Sequence, residues 1–358
     1  MSFVELCYEY PLKLSLPPGE DYFTMPLEVA SEMGLITEVY TVRNSEQKIR
    51  NELIGNYSVH RFKNSFSLLG KLARKKADLI HGHTLGWIPA SFAPLIKNNY
   101  IFTAHTDQAK DSLQYRFATH AISRSEKVLV STDFTKRSLS KYLPENRIEV
   151  FPLPINYGLW SNCRGGAEYR SKANIPEQLI VTVATIRPQK NYTTLLKALQ
   201  IVKTTLPKIK LVIVGADPSG SIPELMQLAS QLNIEENVIF HNRASIDELL
   251  SILDAADLFV MPSIWESQCI AVYEAAAAGL PLVLSNLGIF EPFKGCAAFQ
   301  DPFDYEMLSK NLIALLNDQN LANSYKTAAQ EKMKQFDVSV LKGRLKKIYT
   351  NTLNGAYK

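Results

Sequence analysis

Apolar residues along this chain follow two alternating rhythms. Short, nearly unbroken runs rich in Val, Ile, Leu and Phe predict strands buried on both faces, and between them apolar positions recur at helical spacing. In the first half, strands are expected at Phe3–Tyr8, Ile36–Thr41, Leu79–His81, Tyr100–Ala104, Lys127–Ser131 and Glu149–Leu153. A helix over Met25–Met33 carries Pro26 in its first turn and Gly34 just past its end. The second half restarts the pattern with strands at Leu179–Thr185, Ile209–Val214, Val238–His241 and Leu258–Met261. Helices are expected at Tyr192–Thr204, with Leu195, Leu196, Leu199 and Val202 on one face, and at Pro223–Leu232 and Ile246–Ala255. Such alternation predicts α/β architecture: two Rossmann-like domains with parallel sheets facing a central cleft.

The boundary is expected between Pro152 and Ala173, a stretch with two prolines, Gly158 and the loop-like run Ser161 to Gly166. With 358 residues, 46% of them apolar, the chain is long enough for two cores. Its net charge of +4 is spread evenly: residues 1–158 hold 19 basic and 16 acidic side chains, the remainder 20 and 19. Neither half reads as a nucleic-acid module. Cys7, Cys163, Cys269 and Cys296 lack any CxxC spacing, which argues against a structural zinc or a disulfide framework and fits a reducing compartment. The start has no basic segment followed by a long apolar core, and no apolar run is long enough to span a bilayer, so a cytoplasmic location is expected.

The chemistry concentrates after Leu258–Met261. There the strand runs into Pro262-Ser263-Ile264-Trp265-Glu266, then an Ala-rich helix holding Glu274, then Gly279-Leu280-Pro281 and another apolar strand. Two glutamates with seven residues between them thus sit at the carboxyl end of a strand, where open α/β sheets bind ligands. The arrangement resembles the signature of retaining, nucleotide-sugar-dependent glycosyltransferases of family 4 (glycosyl transferases group 1), which have the GT-B fold. By that resemblance Glu266 contacts donor-sugar hydroxyls, Glu274 binds the ribose hydroxyls, and the amides of Cys269 and Ile270 at a helix N-terminus face the diphosphate. The family commonly has Gly-Phe-Gly where this chain has Ser267-Gln268-Cys269.

Thr185-Ile186-Arg187-Pro188-Gln189-Lys190-Asn191 resembles the family's Gly-Arg-x-x-x-x-Lys-Gly segment, whose cations neutralise the donor diphosphate. Lys190 aligns with the lysine; Thr185 stands at the arginine position and Arg187 two residues later. Ile101 to Thr106 looks like the family's Thr-x-His-Gly segment, which implies that His105 lies beside the reacting carbon. His81 and His83 have no carboxylate or cysteine at ligand spacing and read as structural. Phe336-Asp337 and the helix through Tyr349 match the family's closing segment. The implied division is 1–158 for an acceptor-side domain, 159–335 for a nucleotide-sugar domain, and 336–358 for a helix crossing back to the first.

The stretch Arg61–Lys76 interleaves basic residues with Phe62, Phe66, Leu68, Leu69 and Leu72. A basic amphipathic helix there would suit an anionic membrane bearing a lipid-linked acceptor, or simply pack on its domain with the cations solvated. The resemblance implies a glycosyltransferase that moves a sugar from a nucleotide diphosphate-sugar to an acceptor hydroxyl with retention, with no metal or other cofactor. The acceptor would be a glycan, a lipid-linked molecule or a small molecule. The alternatives are a catalytically silent homologue that binds glycan or a partner glycosyltransferase, and a nucleotide-sugar epimerase. A dehydrogenase is disfavoured because no GxGxxG occurs.

Overall fold

The computed structural model describes residues 1–7, 20–43, 49–83, 88–95, 99–104, 119–266 and 269–355. Over these residues the chain forms two compact units, 1–154 together with 338–355, and 155–337. The sequence predicts the divisions at 158/159 and 335/336.

The first unit holds β1 (Ser2–Leu6), α1 (Glu20–Glu32), β2 (Ile36–Val42), β3 (Asn51–Ile54), β4 (Tyr57–Phe62), α2 (Ser65–Arg74), β5 (Leu79–His83), α3 (Ile88–Phe92), β6 (Tyr100–Ala104), β7 (Lys127–Val130), α4 (Asp133–Leu139) and β8 (Ile148–Val150). Its strands lie in the order β3-β4-β2-β1-β5-β6-β7-β8. All pairs are parallel except the edge hairpin β3–β4. That antiparallel edge departs from the wholly parallel expectation.

It also corrects the reading of Arg61–Lys76 as one helix. Arg61 and Phe62 end β4, where Arg61 is buried and ion-paired with Glu52 of β3. The helix starts only at Ser65, because Asn64 caps it and Ser67 completes a capping box. Leu68 and Leu72 face the core, while Phe66, Lys71 and Arg74 are exposed. A second correction concerns α1. It begins at Glu20, so Pro26 lies inside the helix and not in its first turn.

The second unit holds α5 (Tyr157–Trp160), α6 (Gly166–Lys172), β9 (Leu179–Val183), α7 (Tyr192–Thr205), β10 (Lys210–Val214), α8 (Ile222–Gln231), β11 (Val238–His241), α9 (Ile246–Ala255), β12 (Leu258–Met261), α10 (Ile270–Ala277), β13 (Leu282–Ser285), β14 (Ala298–Gln300), α11 (Tyr305–Asn317) and α12 (Gln319–Met333). The sheet is parallel, in the order β11-β10-β9-β12-β13-β14. Strand alternation feeds two cores. Leu179, Val181, Phe259, Met261, Leu282 and Leu284 enter one; Ile180, Leu258, Val260 and Val283 enter the other. The expected loop from Pro152 to Ala173 therefore contains two short helices. In α6 Gly166 is required: a Cβ there would lie 2.6 Å from the Ala255 backbone nitrogen, so only glycine lets α6 approach α9 so closely.

The chain then returns to the first unit in α13 (Val338–Leu353), which buries Leu341, Leu345, Ile348 and Tyr349 in the core beside Phe3 and α1. Tyr349 ties this helix to β5 through the His81 Nδ1 at 2.7 Å, and the Nε2 of the same ring meets Thr103 Oγ1 at 2.7 Å. The His81 and His83 rings stack at 4.4 Å, and His83 Nε2 lies 3.3 Å from Glu5 Oε1.

Burial raises the Glu5 carboxyl well above 4.5 and lowers His83 from 6.5 to about 3. The folded pair therefore holds one proton as neutral acid and neutral ring. An unfolded chain carries two protons on these groups below 4.5, one between 4.5 and 6.5, and none above. The pair's contribution to stability is thus greatest in that middle window. It falls with rising pH beyond 6.5, because the unfolded state then sheds a proton that the folded state keeps. Glu5→Gln puts a neutral amide in place and removes the alkaline decline. In thermal unfolding between pH 7 and 8.5, the melting temperature of the wild type should fall relative to that of Glu5→Gln; parallel curves would refute the assignment.

Candidate active site

In the second unit the strand order reverses between β9 and β12, so the chain leaves these two neighbours toward opposite flanks of the sheet. At such a switch point the strand-end loops diverge and leave a crevice at the carboxyl edge. The loop after β9 runs through half-buried Thr185, buried Ile186 and exposed Arg187 into a 3-10 turn at Pro188–Lys190. The loop after β12 carries Pro262 to Glu266, and the Ile264 amide donates to the Gln189 carbonyl at 2.8 Å, which pins one loop to the other.

Across that junction Lys190 Nζ donates to Glu266 Oε1 at 2.6 Å. The Ser263 hydroxyl donates to the same oxygen at 2.6 Å. The side chains of Lys190 and Glu266 are 15% and 5% exposed, so the carboxylate is buried and the lysine partly so. Burial alone would lower the lysine, yet the net shift is upward, with Cys269 and Glu266 opposing desolvation. The Cys269 thiol is itself pushed up by burial and by Glu266, so it stays protonated at neutral pH. The Glu266 carboxylate is therefore what keeps Lys190 an ammonium.

Cys269 is buried and precedes α10, whose first residue is Ile270. The first amides of a helix lack intrahelical acceptors, so this end can face an anion. Glu274 lies in the second turn of α10 and is 3% exposed. Its charge reaches back to Cys163, whose thiol is raised first by burial, then by Asp254 and Glu274.

Lys190, Glu266, Cys269 and Glu274 thus converge around the carboxyl ends of β9 and β12, with Thr185 and Arg187 on the adjoining loop. Arg187 is exposed and enters no ion pair among the described residues. His105, Ser267 and Gln268 lie outside the described residues, as do residues 15–19 of the loop before α1.

Two residues at the site were not singled out from sequence. Ser263, fully buried, fixes the Glu266 carboxylate; its signal was the Pro-Ser turn itself. Asn191 follows Lys190 in the left-handed conformation (φ 58°, ψ 40°), where the resembled pattern has glycine. Among the described residues, no group of three His, Cys, Asp or Glu side chains is placed to hold a metal ion, and no helix is long and apolar enough to cross a membrane.

Residues 167–332 match the family model for glycosyl transferases group 1, and residues 36–158 match that for glycosyltransferase family 4. A D-inositol 3-phosphate glycosyltransferase of Segniliparus rotundus is 28% identical over 235 residues, covering 59% of this chain and 51% of that protein. The chain spans about half the length of the curated relatives it matches. Among solved structures, Anabaena HepE in complex with UDP superposes with a TM-score of 0.84 at 16% identity, over 98% of this chain and 100% of that one. Sucrose-phosphate synthase from Thermosynechococcus elongatus gives 0.81 at 16% identity, over 99% of both chains.

The ion pair carries a stability consequence independent of any activity. Lys190→Ala leaves Glu266 buried without its cation and should cost about 3 kcal/mol. Lys190→Met with Glu266→Gln removes both charges and should recover most of that loss. Denaturant unfolding of the three proteins tests this; a double variant no more stable than Lys190→Ala would show that the pair is not the source.

Proposed function

We propose that this chain, which belongs to the GT-B glycosyltransferases, moves a sugar from a nucleotide diphosphate-sugar to an acceptor hydroxyl with retention of anomeric configuration. The observation that carries the reading is the part-buried Lys190–Glu266 pair at 2.6 Å, standing at the switch point beside the N-terminus of α10. A carboxylate suits adjacent sugar hydroxyls because it accepts directional hydrogen bonds from both. An ammonium suits the leaving diphosphate, which gains charge as the glycosidic bond breaks.

The roles are those the family resemblance implies, and the positions of Lys190, Glu266, Cys269 and Glu274 support them. Glu266, held through Oε1 by Ser263 and Lys190, offers its carboxylate to the sugar. Lys190, Arg187 and the amides at Cys269 and Ile270 meet the diphosphate, with Thr185 lining the same loop. Glu274 takes the ribose hydroxyls, and His105 is assigned to the reacting end. The acceptor hydroxyl attacks the anomeric carbon on the face from which the diphosphate departs. A new carbon–oxygen bond forms there, the bond to the phosphate oxygen breaks, and that oxygen takes the acceptor's proton. The diphosphate charge is met by side chains and amides, without a metal. The UDP bound by HepE makes uridine donors the first to try.

The reaction is assigned to the cytoplasm. Its acceptor is a hydroxyl-bearing glycan, lipid-linked molecule or small molecule, and the exposed Phe66, Lys71 and Arg74 of α2 would suit an anionic membrane that carries it.

Binding and slow hydrolysis of UDP-, GDP-, ADP- and TDP-sugars, with Glu266→Ala and Lys190→Met alongside, test the reading. One donor should bind and release its nucleoside diphosphate, with turnover reduced about 100-fold or more in Lys190→Met. Anomeric NMR of the transfer product checks retention. Binding without release would point to the silent homologue, interconversion of the bound sugar to the epimerase, and no binding by any donor would overturn the proposal.

A further inference from the structure

We propose that Asn191 is a positioning residue that sets the reach of Lys190 by fastening three strand-end loops together; this rests on the donor-site reading above. The residue is 7% exposed, and its side-chain amide adds to the Ile264–Gln189 backbone bond between the first two of these loops and reaches a third. Its Nδ2 donates to the Pro262 carbonyl at 3.1 Å, in the loop after β12 that leads to Ser263 and Glu266. The same nitrogen donates to the Pro302 carbonyl at 2.6 Å, in the loop after β14. Its Oδ1 accepts from Thr194 Oγ1 at 2.8 Å in the first turn of α7.

The backbone of Asn191 adds a second constraint. At φ 58° it ends the 3-10 turn that holds Lys190, its amide donates to the Pro188 carbonyl at 3.0 Å, and its carbonyl opens α7 by accepting from Thr194 and Leu195. One residue therefore joins the lysine turn, the glutamate loop and a third loop from the sheet's far side. Glycine at this position would supply the backbone conformation alone. Asparagine supplies it at small steric cost and adds a side chain that spans the gap. A lysine is a flexible stem, and its ammonium reaches a fixed point only if its backbone is fixed relative to the anions it must meet. The cross-loop amide does that here.

The test uses three single variants and a double-mutant cycle. Asn191→Gly keeps the left-handed backbone without strain and removes the bridges. Asn191→Asp keeps size but turns a carboxylate toward two carbonyl oxygens. Lys190→Met removes the charge and keeps the stem. Affinity for UDP, GDP, ADP and TDP is measured by calorimetry at a temperature where circular dichroism shows each variant folded.

Both Asn191 variants should weaken binding of the recognised diphosphate about ten-fold or more in the presence of Lys190. In the Lys190→Met background the further loss should be under about two-fold, because the residue acts through the lysine. A lower melting temperature with wild-type affinity would make Asn191 merely structural and overturn the inference. So would equal losses in both backgrounds. If the wild-type chain binds no nucleoside diphosphate, the proposed function fails and this inference with it. Binding that Lys190→Met weakens but Asn191→Gly does not would sink this inference alone.

Discussion

A parallel strand covered on both faces has nowhere along its length to keep a charge. β9 and β12 of the second unit are buried from end to end, and their side chains alternate between two apolar cores. Any polar chemistry is thereby displaced to the strand ends, where backbone direction changes and loops can carry lysine, glutamate and asparagine. Because all the strands of that sheet point one way, their carboxyl ends share one edge, and a side chain after one strand can meet a side chain after its neighbour. The contact of Lys190 with Glu266, separated by 76 positions in sequence, is a product of that constraint.

The same logic explains what the residue pattern disclosed and what it hid. Tyr100–Ala104, Val238–His241, Ile246–Ala255 and Leu258–Met261 were legible to the residue, since apolar runs or a full helical face there are bounded by Asn99, Asn237 and Asn242, Ser245, or Asp257 and Pro262. The β3–β4 hairpin was missed because it lies at an exposed edge, where polar and apolar residues mix. Its signal was the Gly55-Asn56 turn, with Gly55 at φ 56°. The two helices after Ile155 were missed because glycine and asparagine suggest loops unless the neighbour that needs a glycine is known. At the site, Glu266 and Lys190 stood out through spacing and residue type. Asn191 and Ser263 did not, since a bridge between loops exists only after the loops have been brought together.

The pair also has donors to spare. An ammonium has three N–H donors, of which the glutamate takes one. Lys190 can thus remain bonded to Glu266 while its other donors turn toward phosphate oxygens. Coupled this way, a carboxylate acceptor and an ammonium donor share one centre. Two such groups held 2.6 Å apart cannot drift independently, so recognition of one part of a ligand constrains the other.

The return of α13 to the first unit has a temporal meaning. Residues 155–337 form a continuous unit with cores of their own, whereas residues 1–154 lack Leu341, Leu345, Ile348 and Tyr349 until the intervening segment has been made. At ordinary elongation rates that interval is on the order of ten to forty seconds. During synthesis the first unit's core therefore lacks these side chains until α13 has been made, by which point all of residues 155–337 exist. Completion of the first unit's core thus waits on synthesis of the whole second unit.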